Sequence, residues 1–107
     1  MPNLIEIDDS KYEEDVKKAA GLVVVLFKSE WCPSCKRLFP VLEKVSDDYK
    51  DKSKFFWTDA IKNTKFATEY GVLAIPTLIL FKGGVEKARN IGFMTDTESK
   101  AFIDKNA

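Results

Sequence analysis

Cys32 and Cys35, separated only by Pro33 and Ser34, are the side chains of this 107-residue chain whose type and spacing can do chemistry by themselves. A thiolate attacks disulfide sulfur, and a second thiol so close in sequence can close a small ring with the first. Polar and charged neighbours, Ser29, Glu30, Ser34 and Lys36, argue against inert core thiols. Two thiolates also fall short of the four ligands of a structural zinc or iron–sulfur site, so a metal reading needs two chains. A redox couple is the favoured chemistry.

The rest of the composition removes competitors. There is no histidine, which excludes Ser–His hydrolysis and histidine-ligated zinc and removes the usual general base. The 17 basic residues balance 17 acidic ones, so nothing pulls the chain toward polyanions, and no nucleic-acid partner is expected. Met1 to Asp8 shows neither a basic n-region nor a long apolar stretch, and the longest apolar run, Leu22 to Phe27, is far short of the roughly 20 residues that span a bilayer. A soluble, cytoplasmic protein without membrane contact is expected. A chain of this length builds one core rather than two, so residues 1–107 are read as a single domain.

The elements that must position the thiols follow from the hydrophobic pattern. Leu4, Ile5 and Ile7 predict a short first strand. Ser10 and Glu13 have the spacing of a capping box for a helix that buries Tyr12, Val16 and Ala19 or Ala20 and stops at Gly21. Leu22 to Phe27 is a continuous apolar, β-branched run, the pattern of a central strand covered on both faces. Leu38, Val41, Leu42, Val45 and Tyr49 recur at helical spacing, with Pro40 inside that helix and expected to kink it. Lys54 to Thr58 reads as a strand and Asn63 to Tyr70 as a short helix ended by Gly71. Thr77 to Phe81, the turn Lys82-Gly83-Gly84 and Val85 to Ile91 form a hairpin. A last helix opens at Thr95, with Glu98 completing a capping box and Phe102 and Ile103 facing inward. The order βαβαβαββα predicts a mixed sheet between helices.

In that layout the dithiol lies after a central strand and at the start of a helix. Sites in open α/β sheets gather at the carboxyl ends of strands, and a helix amino terminus offers N–H groups and positive potential to an anion. A Cys32 thiolate is such an anion, with a pKa expected below the ~8.5 of a free thiol. Pro33 suits the first helical turn, where its missing N–H has no partner to lose.

The segment Phe27-Lys28-Ser29-Glu30-Trp31-Cys32-Pro33-Ser34-Cys35-Lys36 resembles the active site of the thioredoxin family, and the resemblance extends over essentially the whole chain. Tyr70 to Leu78 resembles the family's cis-proline loop, Phe81 to Gly84 with Ile91-Gly92 its final hairpin, and Pro40 its kinked helix. The resemblance implies an α/β thioredoxin fold, with a mixed sheet of about five strands flanked by about four helices. It implies a redox-active Cys32–Cys35 disulfide and no bound cofactor. It also reverses one expectation from base rates, under which Pro76 is trans: the family's proline is cis and holds the Ile75 backbone beside the sulfurs, where a substrate strand can pair with it. Trp31, Ala74, Ile75, Pro76 and Gly92 then form the substrate collar; for Phe93 a collar and a core position are both open.

The chain departs from the pattern of the family it resembles in two places. Pro33-Ser34 stands where a typical thioredoxin has Gly-Pro, and Leu26 and Trp57 replace a buried Asp and Lys thought to handle the Cys35 proton. Asp59 is a candidate replacement, because it follows Trp57 by two residues and shares its sheet face if the strand extends that far; an ordinary loop acid is the competing reading. Loss of a buried carboxylate near the sulfurs favours the thiolate, hence a lower Cys32 pKa and a more oxidising couple.

The function implied is a protein thiol–disulfide oxidoreductase, a general reductase of protein disulfides. Cys32 attacks, Cys35 resolves, a thioredoxin-reductase-like donor restores the dithiol, and the protein acts as a monomer. Two alternatives stay open on sequence: a glutathione-linked or more oxidising oxidase or isomerase on the same fold, and a non-catalytic binding or metal-bridged module.

Overall fold

The computed structural model describes residues 4–107; the amino-terminal reading that concerned Met1 to Asn3 lies outside them. Five strands form one sheet in the order β1-β3-β2-β4-β5: β1 (Ile5–Glu6), β2 (Leu22–Lys28), β3 (Ser53–Asp59), β4 (Thr77–Lys82) and β5 (Val85–Ile91). β2 lies at the centre, parallel to β3 and antiparallel to β4. Its residues Val23 to Phe27 are all buried, as a continuous apolar run requires of a strand covered on both faces.

Two apolar layers flank the sheet. Val24, Leu26, Phe55, Leu78 and Leu80 face α1 (Pro33–Ser46) and α3 (Asp96–Asn106), where Leu38, Leu42, Val45 and Ile103 meet them. Val23, Val25, Phe27, Ile79 and Phe81 face the other way, onto Tyr12, Val16 and the Phe66 and Ala67 of α2 (Thr64–Glu69). The alternation along β2 and β4 assigns each side chain to its layer.

Most expected elements are present. Thr95 accepts from the Glu98 N–H while the Glu98 carboxylate accepts from the Thr95 N–H, completing the capping box of α3. Gly71 follows α2 with φ 62°, and Gly83 and Gly84 (φ 60° and 79°) give the hairpin turn its two left-handed residues, the arrangement that suits the twist of paired strands. Pro40 lies inside α1, as expected. Phe102 is half-buried whereas Ile103 is fully buried, and Tyr49 falls beyond the end of α1.

The first helix is where the sequence reading fails. Ser10 does not cap it: the Ser10 N–H and hydroxyl both donate to the Asp8 carboxylate, at 2.9 and 2.6 Å, a local turn that competes with the helical cap. Those donors hold the Asp8 carboxyl below its usual range. The segment that follows is a single π-helical turn, Glu13–Lys17, with no side-chain cap. It ends well before Gly21, which is not in the left-handed region. The predicted buried face holds nonetheless, with Tyr12 and Val16 buried.

Candidate active site

β2 ends at Lys28, and the chain passes through Ser29, Glu30 and Trp31 to Cys32, the N-cap of α1. Cys32 has extended backbone (φ −94°, ψ 110°), and Pro33 opens the helix. The Cys32 sulfur accepts a hydrogen bond from the Cys35 N–H at 3.2 Å, so one of the helix's unpaired amino-terminal donors already points at the atom that would carry a thiolate charge. Cys32 and Cys35 are joined by a disulfide, with Cα atoms 5.2 Å apart. The two sulfurs differ in access. Cys32 is half-buried, whereas Cys35 is 1% exposed on the inner face of α1.

The Ile75–Pro76 peptide bond is cis. Its loop is fixed by two bonds: the Thr77 hydroxyl donates to the Ala74 carbonyl at 2.6 Å, and the Gly92 N–H donates to the Pro76 carbonyl at 2.9 Å. Ala74, Ile75, Pro76 and Gly92 are thereby brought together, Ala74 exposed, Ile75 and Gly92 half-buried and Pro76 buried. Gly92 holds φ 102°, a conformation that disfavours any side chain there. Trp31 is 82% exposed. It lines a recess of about 70 Å³ with Ser29, Glu30, Asp59, Ile61 and Lys62.

Phe93 is not a core residue. Its ring is partly exposed, and the Arg37 guanidinium lies 4.6 Å from its centre. Sequence reasoning missed Arg37, and it missed the 98% exposed Leu73 next to Ala74. Leu73 escaped because an apolar residue in a loop carries no period to betray it, and Arg37 because its ring partner Phe93 is distant in the chain.

Beneath the dithiol, Leu26 is fully buried and faces the half-buried Trp57 across the parallel pair β2–β3. The next pair is Lys28 and Asp59, so the strand does extend to Asp59. That carboxylate is buried, and its Oδ1 accepts from the Ile61 and Lys62 N–H groups at 2.9 and 3.1 Å. It therefore organises the turn after β3 while lining the recess beside Trp31. Among the described residues no group of three or more potential metal ligands is assembled.

The family model for thioredoxin matches residues 3–105. The chain is 38% identical to the thioredoxin of Pseudomonas aeruginosa over 104 residues, covering 97% of this chain and 96% of that one. It is 34% identical to the thioredoxin of Acidithiobacillus ferridurans over 101 residues (94% of each chain) and 32% identical to that of Allochromatium vinosum over 104 residues (97% of each). The chain belongs to the thioredoxin family. With its Cys32–Cys35 disulfide at a helix start it is a thiol–disulfide oxidoreductase that reduces protein disulfides and carries its redox centre in its own side chains. A reductase as electron donor and disulfide-bearing substrates follow in general terms from that membership. Among the described residues no helix is long and apolar enough to cross a membrane.

Proposed function

We propose that the chain is a single-domain, monomeric, cytoplasmic carrier of electrons from a flavoprotein, thioredoxin-reductase-like donor to many protein disulfides, and so serves cellular redox balance. In the first step the Cys32 thiolate attacks a substrate disulfide; a Cys32–substrate bond forms and the substrate's second sulfur leaves as a thiolate that takes a proton. In the second, Cys35 loses its proton and attacks the Cys32 sulfur, closing the Cys32–Cys35 bond and releasing the substrate's remaining thiol. The observation that carries this division of labour is the asymmetry of access: Cys32 is half-buried with an N–H donor on its sulfur, and Cys35 is buried behind it.

The substrate is proposed to lie across Trp31, Ala74, Ile75, Pro76 and Gly92. In support, neither the N–H nor the carbonyl of Ile75 is used in a hydrogen bond among the described residues, which leaves both free to pair with an extended strand. Pro33, Ser34, Leu26 and Trp57 tune the couple, and the apolar Leu26 in place of an acid makes it more oxidising than a typical thioredoxin. Asp59 is proposed as acceptor of the Cys35 proton, with its unengaged Oδ2.

Cys35→Ser is expected to trap substrates as stable mixed disulfides, and Cys32→Ser to abolish both trapping and turnover. Recovery of the dithiol by glutathione but not by a flavoprotein reductase would favour the glutathione-linked alternative. Asp59→Asn should slow the resolving step and displace its pH profile; an unchanged profile removes Asp59 from the mechanism.

A further inference from the structure

Lys28 holds a position that the mechanism above leaves unexplained. It is the last residue of β2, four before Cys32, and it is half-buried. Its side chain shares the α1 face of the sheet with Leu26, because residues two apart on a strand point the same way. There its Nζ lies 4.2 Å from the centre of the Trp57 ring and 5.3 Å from that of Phe39. The two rings meet edge to face, 6.1 Å apart. Phe39 follows Cys35 by four residues on α1, so the two side chains are neighbours on one helical face. The ammonium thus lies over a ring carried one helical turn along α1 from the buried Cys35.

No carboxylate neutralises it. Lys28 enters no ion pair among the described residues. Its cross-strand neighbour Asp59 is turned to the Ile61 and Lys62 N–H groups. Glu6, opposite Trp57 on β1, and Glu30 are exposed. On α1 the charged groups of the first turns are the cations Lys36 and Arg37, both exposed, with Arg37 stacked on Phe93. The half-buried Glu43, one turn beyond Phe39, makes no ion pair with Lys28. An ammonium of a half-buried lysine, seated on ring faces without an ion-pair partner, is a positive charge open to a transient partner.

That partner is made whenever the disulfide is reduced. Two electrons from a dithiol donor and one proton convert the Cys32–Cys35 bond into a thiolate and a thiol. We propose that Lys28 is a positioning residue of the redox site: its ammonium, held under α1 by Trp57 and Phe39, stabilises the thiolate of the reduced pair and thereby sets how readily the pair accepts electrons. The inference rests on Cys32–Cys35 being the redox centre. It gives Trp57 a second purpose, as the face on which the cation is seated.

The test uses the full chain equilibrated with reduced and oxidised glutathione. Lys28→Met keeps an apolar stem of similar reach and removes the charge; its equilibrium constant is expected to shift roughly three- to tenfold toward the disulfide form, since each factor of ten corresponds to one pKa unit of lost thiolate preference. The pH midpoint of Cys32 alkylation by iodoacetamide should rise in parallel, and Lys28→Arg should restore both. Lys28→Gln serves as a second neutral variant should the methionine fail to fold. Parental equilibrium constants and alkylation profiles in the neutral variants overturn the proposal, as does an arginine variant that behaves like methionine. A lowered melting temperature of the oxidised form with an unchanged equilibrium also overturns it, because that is a packing role alone. Failure of the redox-centre reading itself is distinguishable, since the parent protein would then not exchange with glutathione at all.

Discussion

Lys17 and Lys28 flank opposite faces of one sheet and hold their charge in opposite ways. The Lys17 ammonium is 2.6 Å from Glu69 Oε2, and the buried Tyr12 donates its hydroxyl to Glu69 Oε1 at 2.6 Å. Each group moves the others: Lys17, then Tyr12, hold the Glu69 carboxyl below its ordinary range, while the bond to Glu69 and burial push the Tyr12 hydroxyl up to about 12. Lys28 has aromatic faces and no counter-charge. On the face of the π-helical turn and α2, the Lys17–Glu69–Tyr12 cluster is satisfied before any reaction begins. On the α1 face a charge is left for the reaction to satisfy. Stability and reactivity are thus allotted to different sides of β2, which supports both.

That division predicts that changes on the first face alter unfolding but leave the glutathione equilibrium at its parental value. The largest expected effect is at Gly84, whose φ is 79° and where a Cβ would collide with the Lys17 carbonyl oxygen. Gly84→Ala combines the roughly 1–2 kcal/mol of a left-handed side-chain residue with overpacking of about 1–3 kcal/mol. A loss of about 3 kcal/mol in urea unfolding is expected; a variant as stable as the parent would show that the hairpin does not rest on the first turn.

A smaller effect is expected at Asp9. Its carboxylate crosses from the β1 loop to accept the Lys65 and Phe66 N–H groups at 3.1 and 2.9 Å, capping α2 from a distant part of the sequence. Asp9→Ala should cost about 1 kcal/mol, the usual worth of a cap, read as a shift of the urea midpoint at constant slope.

The smallest is Glu69→Gln. The folded pKa of Glu69 is depressed, so its stabilisation is present above the unfolded value, near ~4.3, and is lost as pH falls through the folded one. At neutral pH the partly exposed pair with Lys17 is worth less than about 1 kcal/mol. Melting curves of parent and variant should separate above the carboxylate range and converge in acid; a gap that persists at low pH would mean packing, not charge. A shifted glutathione equilibrium in any of the three variants would break the contrast between the faces.

Legibility in the sequence followed the range of the interaction. Val23 to Phe27, the Thr95–Glu98 box and the Gly83-Gly84 turn were readable because each is written in adjacent or periodic residues. Ser10 and Glu13 misled for the same reason: their spacing fits a cap, but Asp8 took the Ser10 donors first. Cys32 and Cys35 were found from spacing and position, whereas Arg37 on Phe93 and Lys28 on Trp57 join residues far apart in the chain. No local pattern encodes such a meeting.

The sequence by itself determined the chemistry of this protein, because a dithiol at the junction of an apolar strand and a helix start is specified by neighbouring residues. The tertiary structure decided which sulfur is reached from solvent and which cation is seated on the Trp57 and Phe39 rings. Burial and electrostatic contact depend on what the fold packs against a side chain, and β3 and α1 meet over Lys28 only when the whole sheet has formed.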